Sequence, residues 1–218
     1  MNGGGGWEHI ACRTYDLTTG ETGTLSTNGF VTNIHITDLK IEGTLESLGP
    51  ALCPFNHLRE LDLDGSHLTG ALPHWSVDCY PHLRELDLSY GQLSGTIPQW
   101  VTQLARGNLW QLKLEGNNFT GPIPLGLGSM PQLRVLWLSH NNLEGMLPLD
   151  LTHTRSLITL DVRYNSKLCG VLPPNLHVVP SPDGEWNGFC AKAYTEDNSS
   201  CSVLTSPGTA LGTPCRSM

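Results

Sequence analysis

The chain has 218 residues, of which 39% are hydrophobic and 15% charged, and this size and composition are those of one ordinary folded domain. A net charge of −8, with only 12 scattered lysines and arginines, argues against nucleic-acid binding, because phosphate contacts need clustered basic residues. No apolar run approaches the roughly 18 residues of a membrane-spanning helix.

The first 30 residues contain neither the basic segment nor the apolar run of a signal peptide, so we expect no signal peptide within them.

A leucine pattern begins at residue 31, and Leu58-x-x-Leu61-x-Leu63 is typical of it. Its six copies start at residues 31, 58, 83, 109, 133 and 157. Apolar and polar residues alternate within each copy, which predicts a half-buried strand. Such short strands must stack, about 4.8 Å apart, to bury their apolar sides, so the repeat predicts an α/β solenoid of six coils with one parallel, concave sheet.

A second phrase, Leu-x-Gly-x-Ile/Leu-Pro, follows each of the last five predicted strands. Its copies end at Pro73, Pro98, Pro124, Pro148 and Pro173. Proline lacks an N–H and fixes φ, so it suits either the edge of a second extended segment or the first turn of a helix. The sequence leaves these two possibilities open.

A polar position lies eight residues after each start. It holds Asn117, Asn141 and Asn165 in three of the later coils, where a buried amide can satisfy turn backbone groups of its own coil and of its neighbour. The first three coils carry Leu39, Ser66 and Gly91 instead. We therefore expect an asparagine ladder that is complete only in the C-terminal half.

Side chains two, four and six residues after each start leave the core together and are predicted to line the concave face. On coils two and three they form an acidic block of Glu60, Asp62, Asp64, Glu85 and Asp87. On coils four to six the candidate binding residues are Lys113, Val135, Trp137 and Arg163, with Tyr164 adjacent. Tryptophan, tyrosine and arginine supply most interface hot spots, so an exposed Trp137 is the first candidate. The alternatives are an inert surface aromatic and an acidic block that only keeps the sheet solvated, rather than one that binds a basic partner.

The combined pattern LxxLxLxxNxLxGxIP resembles the plant-type leucine-rich repeat of receptor kinases, receptor-like proteins and polygalacturonase inhibitors. Trp7-Glu-His-Ile-Ala-Cys12 looks like the N-terminal cap of that family, and Asn165-Ser-Lys-Leu-Cys-Gly170 is similar to its C-terminal cap. The resemblance implies a right-handed superhelix with a cap at 1–30, repeats at 31–176, and a cap with an extended tail at 177–218. The chain departs from the family in lacking a cysteine before Trp7 and in having six repeats where ten or so are common.

The seven cysteines contain no C-x-x-C pair, which weakens zinc-finger and thioredoxin interpretations. Cys53 and Cys79 precede two successive starts by five and four residues, so stacking would bring them within disulfide distance. The family resemblance implies a Cys169–Cys190 disulfide. That pairing would leave Cys201 and Cys215 to close the tail and Cys12 without a partner. The alternative is free thiols in a reducing compartment.

Two glycosylation sequons begin at Asn118 and Asn198, and Asn118 should point outward because it follows the buried Asn117. His57 and His82 each precede a start, so they are expected to stack on adjacent coils. Without a third ligand we expect no metal and no other cofactor.

Motifs for nucleophilic, metal-dependent or nucleotide-dependent catalysis are missing from the sequence. Asp62 and Asp87 on neighbouring strands could mimic a glycosidase pair, but on an open, wet face we expect nothing to raise the pKa of either one. The sequence therefore predicts a non-enzymatic recognition module, extracellular or in the secretory-pathway lumen, that binds a protein, peptide or glycan. The alternative is a structural subunit of a larger extracellular or membrane-associated assembly; ice binding is disfavoured by the irregular series Thr96, Pro122, Met146.

Overall fold

The computed structural model describes residues 30–37, 41–74, 79–153, 156–170 and 210–211. In chain order their strands are β1 (Asn33–His35), β2 (Glu42–Thr44), β3 (Glu60–Asp62), β4 (His67–Gly70), β5 (Glu85–Asp87), β6 (Gln92–Thr96), β7 (Gln111–Lys113), β8 (Asn118–Gly121), β9 (Val135–Trp137), β10 (Asn142–Gly145), β11 (Thr159–Asp161), β12 (Lys167–Gly170) and β13 (Ala210–Leu211). Helix α1 covers Leu45–Leu52, and 3-10 helices cover Gln99–Gly107, Leu127–Ser129 and Leu149–His153.

One sheet contains the predicted strands in the order β1-β3-β5-β7-β9-β11, and every pair is parallel. Their central residues lie side by side in register: Ile34, Leu61, Leu86, Leu112, Leu136 and Leu160. This arrangement confirms the α/β solenoid and its parallel sheet. We call the surface formed by the side chains two and four residues after each start the sheet face.

The apolar residues at the start of each copy and three and five residues later, most of them leucines, point away from the sheet face. In the fourth copy Leu109, Leu112 and Leu114 are all completely buried. Full burial of one leucine side chain stabilises the fold by about 1.5–3 kcal/mol, so the repeated pattern supplies a continuous core.

A second parallel sheet has the order β13-β12-β10-β8-β6-β4-β2 and contains the Leu-x-Gly phrase. The glycine of each described copy has a positive φ, as at Gly95 (81°) and Gly121 (74°), which explains why the phrase requires glycine. The carbonyls of Pro98 and Pro148 accept hydrogen bonds from the N–H groups three residues later, and a 3-10 helix begins immediately after each proline. Both possibilities left open for the prolines are therefore realised, since an extended strand precedes these two prolines and a helical turn follows them.

The asparagine ladder is confirmed. Asn141 Oδ1 accepts from Phe119 N at 2.9 Å, and Asn141 Nδ2 donates to Leu114 O at 2.9 Å and to Leu138 O at 3.2 Å. The equivalent contacts are made by Asn117 and Asn165. The ladder begins at Asn117. The equivalent residue of the preceding coil is Gly91, and a Cβ there would lie only 2.9 Å from Asn117 Oδ1. Leu39 lies outside the described residues.

The Cys53–Cys79 disulfide is confirmed, with a Cα–Cα distance of 4.7 Å. Cys169 is disulfide-bonded as well. Its expected partner Cys190 lies outside the described residues, as do Cys12, Cys201 and Cys215. The cap at 1–30 is described only at residue 30, and the segment 177–218 only at 210–211.

Candidate functional site

The acidic block lies on the two neighbouring strands β3 and β5. Glu60 is paired in register with Glu85, and Asp62 with Asp87. Burial between the strands raises the pKa of Asp62, and burial together with the charge of Glu60 raises the pKa of Glu85. The expectation that nothing raises a pKa on this face is therefore wrong, because these side chains are half-buried rather than freely solvated. Asp64 lies just beyond β3, and its N–H donates to Asp62 Oδ1 at 3.0 Å.

Lys113 lies between the acidic block and Trp137 on the sheet face and contacts both. Its Nζ lies 3.0 Å from Asp87 Oδ2 and 4.6 Å from the centroid of the Trp137 ring. The Trp137 Nε1–H donates to Thr159 Oγ1 at 3.3 Å. Trp137 is consequently half-buried and held in place, whereas the sequence predicted an exposed indole, and Val135 beside it is half-buried too.

Arg163 is engaged by its own coil. Its Nε donates to Asp161 Oδ1 at 3.1 Å and its NH2 group to Asp161 Oδ2 at 2.9 Å, a bidentate pair. Burial acts to lower the pKa of Arg163, but the hydrogen bonds to Asp161 outweigh it and raise that pKa. The guanidinium carbon lies 6.0 Å from the Tyr164 ring centroid, so Arg163 presents a fixed cation beside an aromatic ring.

Three aromatic residues occupy one equivalent position at the C-terminal edge of the sheet face. Tyr90, His140 and Tyr164 stand seven residues after their starts, with φ of 50°, 54° and 55°, and two other coils have glycine there. Left-handed backbone costs a non-glycine residue roughly 1–2 kcal/mol. The rings of His140 and Tyr164 are stacked, with centroids 4.1 Å apart, and Tyr90 is 59% exposed. Sequence reasoning missed Tyr90 and His140; recurrence of aromatics at this position was the available signal.

A cationic trough lies on the opposite side of the sheet face, at the N-terminal ends of the strands. It is a cavity of about 580 Å³ whose lining includes Arg84, Trp110 and Arg134, each one residue after its start, together with the amide side chains of Asn108 and Gln132. The prediction counted only side chains two, four and six residues after each start and so omitted this row. Listing the residues one after each start would have shown the arginines.

The rings of His57 and His82 are stacked as expected, with centroids 5.9 Å apart. No group of three or more metal-ligating side chains occurs in the described part of the chain. Asn118 is exposed, as predicted, and Asn198 lies outside the described residues. None of the helices in the described ranges is long and apolar enough to cross a membrane.

Comparison with known proteins gives consistent matches. Two leucine rich repeat family models match residues 56–119 and 132–154. Pollen receptor-like kinase 2 of Arabidopsis thaliana is 31% identical over 174 residues, which are 78% of this chain and 25% of the relative. The chain thus spans about a quarter of the length of that curated relative.

Solved structures match comparable shares of the chain. A crystal structure of a pollen receptor kinase 3 has a TM-score of 0.54 at 27% identity and covers 77% of this chain and 93% of its own. The ectodomain of the Arabidopsis receptor kinase HAESA, in complex with an N-terminally extended IDA peptide hormone, has a TM-score of 0.59 at 25% identity and covers 85% of this chain and 27% of its own.

Proposed function

The chain is a plant-type leucine-rich repeat protein, and on that premise we propose that it is a non-enzymatic recognition module that binds a peptide or protein through the sheet face. The observation that carries the proposal is that the indole ring of Trp137 is already ordered. Lys113 and Thr159 hold the ring in one orientation on the sheet face, so a partner that packs against it finds the ring already ordered. Half-buried, pre-ordered aromatics of this kind supply much of the free energy of protein interfaces.

The surroundings of Trp137 suit a partner of mixed character. The acidic block lies on one side of Lys113, and Arg163 with the stacked pair His140 and Tyr164 lies on the other. An extended surface with charges of both signs selects its partner by electrostatic complementarity. The HAESA ectodomain, which shares this fold, is recorded with a peptide hormone, and this supports a peptide or protein over a small molecule.

An extracellular or secretory location is part of the proposal. The Cys53–Cys79 disulfide supports it, since structural disulfides persist in oxidising compartments and are rare in the cytosol. Exposed Asn118 would then carry a glycan. Glycosidase treatment of protein from the native source should shift its mass, and the shift at this site should be lost in Asn118→Gln.

The proposal is tested by recovering partners from the native source with the wild-type protein and with Trp137→Ala. Truncation of a central hot spot costs 2 kcal/mol or more, about a thirtyfold loss of affinity, so the partner should be depleted. Leu125→Ala is the matched control, because Leu125 is 67% exposed and lies outside the six-stranded sheet. An unchanged set of bound proteins with folded Trp137→Ala would show that the wrong surface has been chosen.

A further inference from the structure

The cationic trough has a regular geometry. The residues that follow Arg84, Trp110 and Arg134 are paired in register on β5, β7 and β9, so the three side chains come from consecutive coils. The backbone N–H of Trp110 donates to Arg84 O, and that of Arg134 donates to Trp110 O at 2.8 Å. Two strand spacings therefore separate the arginine backbones, which is roughly 9.6 Å.

The charge of the trough is opposite to that of the chain as a whole. Arg84 and Arg134 are exposed, and neither forms an ion pair with a carboxylate in the part of the chain that is described. Among the lining residues that the structure describes, Glu85 is the one carboxylate, beside Arg84 and Arg134. A chain with a net charge of −8 thus keeps a positively charged cleft next to its acidic block. Such a cleft attracts anions by local field rather than by net charge.

We propose that the trough binds an acidic peptide segment in the polyproline II conformation, with carboxylates three residues apart contacting Arg84 and Arg134. This inference goes beyond the proposed function, because it adds a second contact surface that is separate from the Trp137 site. Polyproline II has three residues per turn and a rise of about 3.1 Å per residue, so residues i and i+3 lie on one side, about 9.3 Å apart. That distance matches two strand spacings, and each guanidinium can bind a carboxylate through two hydrogen bonds.

Trp110 favours a peptide over an acidic oligosaccharide. It lies midway between the two arginines, opposite the residues between the two carboxylates of the ligand. Aromatic side chains that line a groove recognise proline rings in this conformation, which is already extended before binding and loses little entropy. Asn108 and Gln132 add side-chain donors and acceptors for the backbone groups that polyproline II leaves unpaired.

The test uses three fluorescein-labelled, end-blocked hexapeptides and the complete chain, with fluorescence anisotropy in 50 mM NaCl. The first peptide is Pro-Glu-Pro-Pro-Glu-Pro, the second has glutamine in place of both glutamates, and the third is Pro-Pro-Glu-Glu-Pro-Pro, of the same composition and charge. The protein is used as wild type, Arg84→Gln, Arg134→Gln and Lys167→Gln. Lys167 is an exposed lysine of the second sheet and controls for the loss of one positive charge. Thermal melts establish that each variant is folded.

We expect the first peptide to bind saturably and both others at least tenfold more weakly. Arg84→Gln and Arg134→Gln should each weaken the first peptide at least tenfold, and Lys167→Gln less than twofold. Binding should also weaken in 300 mM NaCl. Absence of saturable binding, equal binding of the two acidic peptides, insensitivity to the arginine variants, or tighter binding of a galacturonic acid tetramer would each overturn the inference. Partner recovery with Trp137→Ala is scored separately, so the proposed function can stand when this inference fails, and the reverse.

Discussion

Replacing Asn141 by alanine should lower the free energy of unfolding by about 3 kcal/mol. The substitution removes the acceptor of the Phe119 N–H and the donors to Leu114 O and Leu138 O, and these contacts join two neighbouring coils as well as the turn of one. A buried donor left unpaired costs about 1–3 kcal/mol, and each further hydrogen bond contributes about 1 kcal/mol. Phe119 is completely buried, so little water can reach its N–H and compensate.

The measurement is urea unfolding at 25 °C, followed by circular dichroism, for the wild type, Asn141→Ala and Asn142→Ala. Asn142 is the adjacent asparagine and is exposed, so its replacement should change stability by no more than about 0.5 kcal/mol. In thermal melts the first variant should lose roughly 6–12 °C, as 3 kcal/mol does in a domain of this size. If the two variants differ by less than about 1 kcal/mol, the ladder does not hold the coils together as argued.

The disulfide, the acidic block and the left-handed positions give three further expectations. The double substitution Cys53→Ser, Cys79→Ser should cost about 3 kcal/mol, because it opens a loop with a sequence separation of 26. Reductant also opens the disulfide of Cys169, so wild type and variant should melt alike only when both are reduced. Glu85→Gln should stabilise the protein at pH 7, because it removes a carboxylate whose charged form is disfavoured by burial and by Glu60. The raised pKa of Glu85 means that the folded state binds the proton more readily than the unfolded state, so the stability of the wild type falls as pH rises through that pKa. The stability difference between wild type and Glu85→Gln should therefore vanish below the ordinary pKa of 4.5. Thermal melts from pH 3 to 7 should show this trend, and a stability difference that stays constant with pH would contradict it. His140→Gly should be more stable than His140→Ala by about 0.5–1 kcal/mol, because both lose the ring stack but only glycine relieves the positive φ; the opposite order would refute the strain.

The features that the sequence predicted well depend on period alone. Leu61 and Leu86 stand at the same place in successive copies, and that place is enough to put them side by side in the sheet. The same reasoning brought Cys53 to Cys79 and aligned the ladder asparagines. A repeat converts a spacing along the chain into a neighbour in space, so these contacts needed no knowledge of side-chain packing.

The features that were missed depend on packing and backbone conformation. A tyrosine such as Tyr90 does not by itself predict a positive φ, since tyrosine rarely adopts one. The glycines at the same place in other coils are the residues that indicate it. The half-buried state of Trp137 follows from where the Lys113 ammonium settles, and the raised pKa of Glu85 follows from how closely two strands enclose it. Alternation along a strand gives the side on which a residue lies but not the depth to which its neighbours cover it.

The position of Lys113 has a consequence for how the two halves of the sheet face respond to a ligand. One ammonium serves both Asp87 and the Trp137 ring, so any cationic group that docks at Asp87 must compete with Lys113. An aromatic or apolar group that covers the indole would likewise compete with the same ammonium for the ring. A ligand bound at one end would then change the affinity at the other by an equal factor, as thermodynamic linkage demands, with Lys113 as the side chain that links the two ends.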